Sequence, residues 1–261
     1  MGKIIAVCNQ KGGVGKTTTA INLAACLAAA EHRTLLVDID PQCNATTGLG
    51  IDKNEPDYSV YDLIAWSDSD EDEEKNVAEI VVHSPKIDFL DILPSSPDLA
   101  GAQIELVNVI AREKRLSRTL RPAAEHYNYV IVDSPPALGV LTVNVLTAAD
   151  SVLIPIQCEY YALEGLAELL STIRLVQKTL NPSLAIEGAL LTMYDGRLNL
   201  SRQVAEDVRS YFSGRIFETA IPRNVKLSEA PSYGIPIILY DIMSSGAEGY
   251  LKLAKEIMDN G

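Results

Sequence analysis

This 261-residue chain has no paired cysteines, no long apolar run and no surplus of positive charge. Its four cysteines, Cys8, Cys26, Cys43 and Cys158, are widely spaced and form no CxxC pair. That spacing excludes a disulfide framework and a cysteine-built metal ribbon, and it suits reduced, partly buried thiols in a cytoplasm. No stretch approaches the roughly 18 apolar residues of a membrane span. The apolar run at the N-terminus is too short for a signal peptide and lacks a small-residue cleavage pattern. No internal repeat is visible, nor any Pro/Gly/Ser-rich linker.

The shortage of cations needs a closer reading. Lys and Arg number 22 against 35 Asp and Glu, a net charge of −13 that argues against a nucleic-acid partner if the acid is evenly spread. It is not. Residues 52–91 hold thirteen acids against Lys53, Lys75 and Lys86, which puts −10 of the charge into forty residues. The run Asp68-Ser69-Asp70-Glu71-Asp72-Glu73-Glu74 is its densest part. A like-charge block of this kind reads as a solvated loop, and the rest of the chain is nearly neutral.

With 47% hydrophobic and 22% charged residues the composition is that of an ordinary globular protein. Short β-branched runs alternate with longer helical patterns. Strands are expected at 4–8, 34–39, 89–93, 129–133, 151–156, 186–192, 216–221 and 235–239. Helices are expected at 17–30, 100–110, 138–148, 163–180, 201–212 and 246–258. Continuous apolar strands require cover on both faces, so the alternation predicts α/β architecture. The expected form is one doubly wound, mostly parallel sheet of the P-loop NTPase type over 1–261, with an acidic, loop-rich insertion around 52–86.

The chemistry begins right after the first strand. Asn9-Gln10-Lys11-Gly12-Gly13-Val14-Gly15-Lys16-Thr17-Thr18 leads into an Ala-rich helix. Glycines there let backbone N–H groups converge on phosphate oxygens, helped by the positive end of the helix. Lys16 is expected on the β- and γ-phosphates, the Thr17 hydroxyl on Mg²⁺ and Thr18 on the α-phosphate. Two further strands end in acid. Leu35-Leu36-Val37-Asp38-Ile39-Asp40 places two carboxylates at the carboxyl edge of the sheet, where ligands of such sheets bind. Asp38 suits either Mg²⁺ or the holding of loop amides. Tyr129-Val130-Ile131-Val132-Asp133 has the Walker B form, with Asp133 holding Mg²⁺ through water.

Gln10 stands where GxxxxGK[ST] has its first glycine, and the change comes with an extra lysine, Lys11. This KGGxGKT form is similar to the deviant Walker A motif of the ParA/MinD class of P-loop ATPases. The later segments QCEYYALEG at 157–165, LTMYDGR at 191–197 and IPRNVKLSEAPS at 221–232 resemble chromosomal ParA proteins of the Soj type. The resemblance implies an ATP-sandwich homodimer in which Lys11 reaches the partner's phosphates and Asp40 positions the attacking water. It implies ATP and Mg²⁺, with Val14 and the loop glycines on the phosphates and Met193, Pro222 and Asn224 at the adenine. It further implies non-specific DNA binding through Arg197, Arg223 and Lys226, a ParB-like partner that stimulates hydrolysis, and a nucleoid-associated location. Arg112, Lys114, Arg115, Arg118 and Arg121, opposed by Glu113, offer a second basic cluster. Segment 240–246 lacks the basic residues that relatives often carry.

Other readings exist. A MinD-like membrane-switching ATPase needs an amphipathic C-terminal anchor, yet residues 250–261 have few cations and an acidic end. Docking of that helix onto its own sheet accounts for its apolar spacing. An iron–sulfur reductase needs cluster cysteines that the spacing does not supply, and no segment points to the carboxylate substrate of an amide-forming synthetase.

Overall fold

Apolar residues alternate between two buried layers along every central strand. The computed structural model describes residues 2–54, 57–65, 77–159 and 162–260, so the acidic run 68–74 lies outside the described residues. β1 (Lys3–Val7), β2 (Thr34–Asp38), β3 (Val82–His83), β4 (Leu90–Leu93), β5 (Tyr129–Asp133), β6 (Ser151–Gln157) and β7 (Ala185–Thr192) form one sheet. Their order is β3-β4-β2-β5-β1-β6-β7, and only β3 runs antiparallel to its neighbour. In β1, Ile4 and Ala6 join one core while Ile5 and Val7 join the other.

The first core is covered by α3 (Val60–Ala65), α4 (Val77–Ile80), α5 (Leu99–Glu105), α6 (Arg115–Ala123), α7 (Val140–Ala148), α8 (Ala162–Thr179) and α9 (Asn199–Tyr211). The second is covered by α1 (Lys16–Ala29), α2 (Asn44–Gly48), α10 (Lys226–Glu229), α11 (Ile237–Tyr240) and α12 (Ser245–Met258). α1 is almost wholly buried, and its alanines combine high helix propensity with side chains small enough for neighbours to close in. α12 lays Tyr250, Leu253, Ala254 and Ile257 into this second core. The apolar spacing of the tail is therefore that of a docked helix.

Four expectations shift. The stretch around 52–86, read as loop-rich, contains the short elements α3, α4 and β3 in its described parts. The helix expected at 100–110 is α5 followed by a single 3₁₀ turn at Leu106–Asn108, and α6 was not foreseen. Residues 235–239 form no strand. Pro236 precedes α11, and the N–H of Ile237 donates to Asn22 Oδ1 at 2.7 Å, so the one polar residue in the middle of α1 anchors this turn.

Residues 216–221 fail as a strand for a different reason. They touch β7 at two points, through Ile216 opposite Ala189 and through the Ile221 N–H on the Leu191 carbonyl at 2.8 Å. Between those points the chain leaves the sheet. The Glu218 and Thr219 N–H groups donate instead to the Glu256 carboxylate of α12, at 3.0 and 2.7 Å. Glu256→Ala leaves these donors without their acceptor. It is expected to lower stability by about 1–2 kcal/mol, read as an earlier urea unfolding midpoint; an unshifted midpoint contradicts the bracing role.

Candidate active site

The loop joining β1 to α1 needs two left-handed residues, and glycine supplies both: Gly13 at φ 74° and Gly15 at φ 87°. A Cβ added at Gly12 or Gly13 meets nothing within 4 Å, so this stretch of the loop stands open. Its walls are fixed by bonds both local and long-range. Asn9 Nδ2 donates to the Pro155 carbonyl at 2.6 Å and the Lys11 N–H to Asn9 Oδ1 at 3.1 Å. The Thr192 hydroxyl, at the end of β7, donates to the Val14 carbonyl at 2.8 Å. Lys16 opens α1, mostly buried, with its ammonium donating to the Lys11 carbonyl at 3.1 Å.

Facing the loop, parallel pairing puts Asp38 directly opposite Asp133 at the carboxyl ends of β2 and β5. The two acids differ in what they touch. Asp38 Oδ1 accepts the Asp40 N–H at 3.1 Å, and Oδ2 accepts both the N–H and the hydroxyl of Thr46 at 2.8 Å. Those bonds pull its carboxyl down, but burial outweighs them and raises it. Asp133 is fully buried, and neither of its oxygens reaches a donor at hydrogen-bonding geometry. Burial drives its carboxyl well above the ordinary carboxylate range and the Asp38 charge pushes the same way, against the nearby Thr17 hydroxyl and Lys16 ammonium. Burial lowers Lys16, with Asp133 the strongest opposing influence. Asp40 turns one oxygen to the Gln42 N–H at 3.0 Å, and its carbonyl accepts the Ser95 hydroxyl at 2.8 Å.

Beside the loop lies a cavity of about 240 Å³. Gly15 and Thr18 form its side toward the glycine loop, and Met193, Pro222 and Asn224 line it as well. Met193 takes a left-handed backbone (φ 51°), an uncommon conformation for its type that is held by the bridge from Tyr194 to Pro222. The reading missed Tyr250, a buried residue of α12 that also lines the cavity and pairs its hydroxyl with that of Thr19 at 3.2 Å. It also missed Thr192. Neither carries a local motif, since each acts by meeting a residue some two hundred positions away.

The expected cations are placed in company. Lys11 Nζ lies 3.5 Å from Glu159, and the same carboxylate stands 3.8 Å from Arg223. Arg197, with its side chain 90% exposed, grips Asp195 at 2.7 Å, and Lys226 pairs with Asp241. The 112–121 cluster is largely drawn into the fold. Arg115 is buried, Arg112 pairs with Glu113 at 3.0 Å and Arg121 with Asp150 at 2.6 Å. Lys114 and Arg118 stay exposed, so the open basic face is smaller than the run of cations suggests.

Comparison with known proteins shows what this arrangement belongs to. The family described as "AAA domain" matches residues 2–186, a span that includes the loop and all three strand-end acids. The sporulation initiation inhibitor protein Soj of Bacillus subtilis (strain 168) is 58% identical over 261 residues, covering 100% of both chains. The chromosome partitioning protein ParA of Myxococcus xanthus (strain DK1622) is 55% identical over 258 residues, 99% of this chain and 88% of that one. The chain belongs to the ParA/Soj family. Among solved structures, cobyrinic acid a,c-diamide synthase from Mycobacterium smegmatis with bound ATP analog and magnesium superposes with a TM-score of 0.85. It shares 35% identity and covers 100% of this chain and 96% of its own. Fold likeness thus reaches a synthase, while the higher identities lie with ParA/Soj proteins. The ParA/Soj matches run past residue 186, so they also span the cavity residues from Met193 to Tyr250.

The folded ParA/Soj chain holds the Asp133 proton more tightly than the unfolded chain does. That group therefore favours folding at low pH and ceases to as pH rises through its folded-state value. Asp133→Asn keeps the shape and removes the charge. It is expected to stabilise the nucleotide-free protein by about 1–3 kcal/mol near pH 8, with the gain fading toward about pH 4. Denaturant unfolding across pH measures this, and a pH-independent difference contradicts it.

Proposed function

We propose that this chain is a DNA-partitioning ATPase. It binds ATP with Mg²⁺, pairs with a second copy around the nucleotides, holds DNA without sequence preference, and releases it on hydrolysis stimulated by a ParB-like partner. The observation that carries the reading is the buried Asp133 carboxylate, bare of hydrogen bonds beside Thr17 and Lys16, at the root of an open glycine loop. A buried carboxylate with no partner is costly unless a cation meets it. Among the described residues no three His, Cys, Asp or Glu side chains form a metal site of their own. A cation there must bring ligands with it, as Mg²⁺ on a nucleotide does. One hydroxyl and one carboxylate are the donor set that such an ion needs.

In this reading the loop amides and Lys16 hold the phosphate oxygens, and Thr18 takes the α-phosphate. Thr17 and, through water, Asp133 hold Mg²⁺, which when bound neutralises charge on the phosphates. Asp40 orients the attacking water for in-line displacement. Asp38, its oxygens taken by Thr46 and Asp40, keeps the loop that carries Asp40 in place. Lys11 crosses to the partner's phosphates, leaving Glu159. Met193, Pro222 and Asn224 receive adenine. The relatives named for chromosome partitioning support this branch over the synthase. The buried apolar face of α12 favours it over a membrane-switching ATPase, which needs that face free.

Each DNA cation has a rival. Arg197, Arg223 and Lys226 stand beside Asp195, Glu159 and Asp241, so a phosphate must compete with a carboxylate already in place. Surface pairs of this kind are weak and screened by salt, and the competition lowers affinity without abolishing it.

Two experiments test the reading. Lys16→Ala is expected to abolish ATP turnover, whereas Asp40→Ala is expected to bind ATP but lose at least about a hundredfold in rate; normal turnover in either removes that residue's role. ATP-dependent DNA binding across a salt series is expected to weaken in Arg197→Ala and Lys226→Ala, each with a log–log salt slope smaller by about one. Asp241→Asn should bind more tightly. DNA binding that ignores ATP and all three changes refutes the switch.

A further inference from the structure

One wall of the cavity holds an amide whose orientation is fixed at both ends. Asn224 Oδ1 accepts the Lys226 N–H at 2.9 Å. A backbone N–H can only donate, so the oxygen belongs on that side. Asn224 Nδ2 donates to Ser245 Oγ at 3.0 Å. Of its two N–H bonds one is thereby spent, and the other is left to donate.

Ser245 is itself well placed to act as a stop. It is the first residue of α12, whose cap is Ser244, the hydroxyl oxygen of which accepts the Ala247 N–H at 3.1 Å. The helix is tied to the cavity at two further points. Tyr250 reaches the cavity wall and pairs with Thr19. Gly249 lies so close to the cavity loop that a Cβ there would come within 3.2 Å of Ile221 Cδ1. The serine hydroxyl thus sits on a helix held against the cavity wall.

We propose that Ser245 is a positioning residue for base selection: it locks the Asn224 amide as a one-bond donor toward a nucleobase edge that presents an acceptor ring nitrogen. This rests on the reading of the cavity as a nucleoside site. A locked donor favours adenine over an edge that presents a ring N–H, as guanine does at N1. Without the serine only the Lys226 N–H holds the amide, and that single bond leaves it freer to turn toward either edge.

The test is calorimetric binding of ATP and of GTP, each with Mg²⁺, to the full chain and to Ser245→Ala and Ser245→Thr. Ser245→Ala is expected to raise the ATP Kd by about three- to tenfold and to narrow the ATP/GTP preference. Ser245→Thr, which keeps the hydroxyl, is expected to restore both. The rate at saturating ATP is expected to change less than about twofold, since the serine touches neither phosphate nor water. Unaltered ATP affinity and preference in Ser245→Ala overturn the proposal while leaving the ATPase reading intact. Equal loss of ATP and GTP affinity together with a lower Tm assigns the serine a purely structural role and also overturns it. Failure of the unsubstituted chain to bind either nucleotide overturns the nucleoside reading itself.

Discussion

Negative charge is crowded, without water, at the ends of two paired strands, and the rest of the site is arranged around that crowding. Parallel register sets Asp38 against Asp133, and apolar residues on both faces of the sheet exclude the solvent that would screen them. In such surroundings a carboxylate survives ionised only if donors or cations face it. Asp38 has its donors from Thr46 and Asp40. Asp133 has none, only the pull of Lys16 and the nearness of Thr17. The same burial that raises the acids lowers the lysine. The site is therefore electrostatically incomplete in a way that a phosphate-borne cation would complete, and a little stability is given up to keep it so.

The cavity beside the loop depends on geometry of another kind. Its wall is assembled by the last third of the chain returning to the first strand and helix. Thr192 fastens β7 to the phosphate loop, Tyr250 meets Thr19, and Asn22 anchors the turn before α11. Glu256 draws residues 218–219 off the sheet edge, next to the loop that carries Pro222 and Asn224. α12 is thus at once a core helix, a brace and part of the cavity wall. That triple duty explains why its apolar face is packed inward.

Local signals in the sequence were strong where local chemistry dictates structure. The strand–glycine loop–helix unit, the acids at the ends of β2 and β5 and the alternation of strands and helices all follow from spacing and burial. Met193, Pro222 and Asn224, placed through family resemblance, do line one cavity. What escaped is non-local. Residues 216–221 are as apolar as a strand, but the acceptor for the Glu218 and Thr219 N–H groups is the side chain of Glu256, far along the chain. Residues 235–239 read as β-branched, but a proline and Asn22 turn them into α11. Charge counting over 112–121 could not see Arg115 buried or Arg121 on Asp150. Nor could it see a carboxylate beside each of Arg197, Arg223 and Lys226.

The central claim is that the bare Asp133 carboxylate is the protein's half of a Mg²⁺–nucleotide site. Calorimetric titration of ATP into the full chain, first with Mg²⁺ and then with excess EDTA, tests it most directly. The account predicts that the ATP Kd rises by at least about tenfold when Mg²⁺ is removed, and that Asp133→Asn binds ATP equally well in both conditions. ATP affinity in the unsubstituted chain that is indifferent to Mg²⁺ contradicts it.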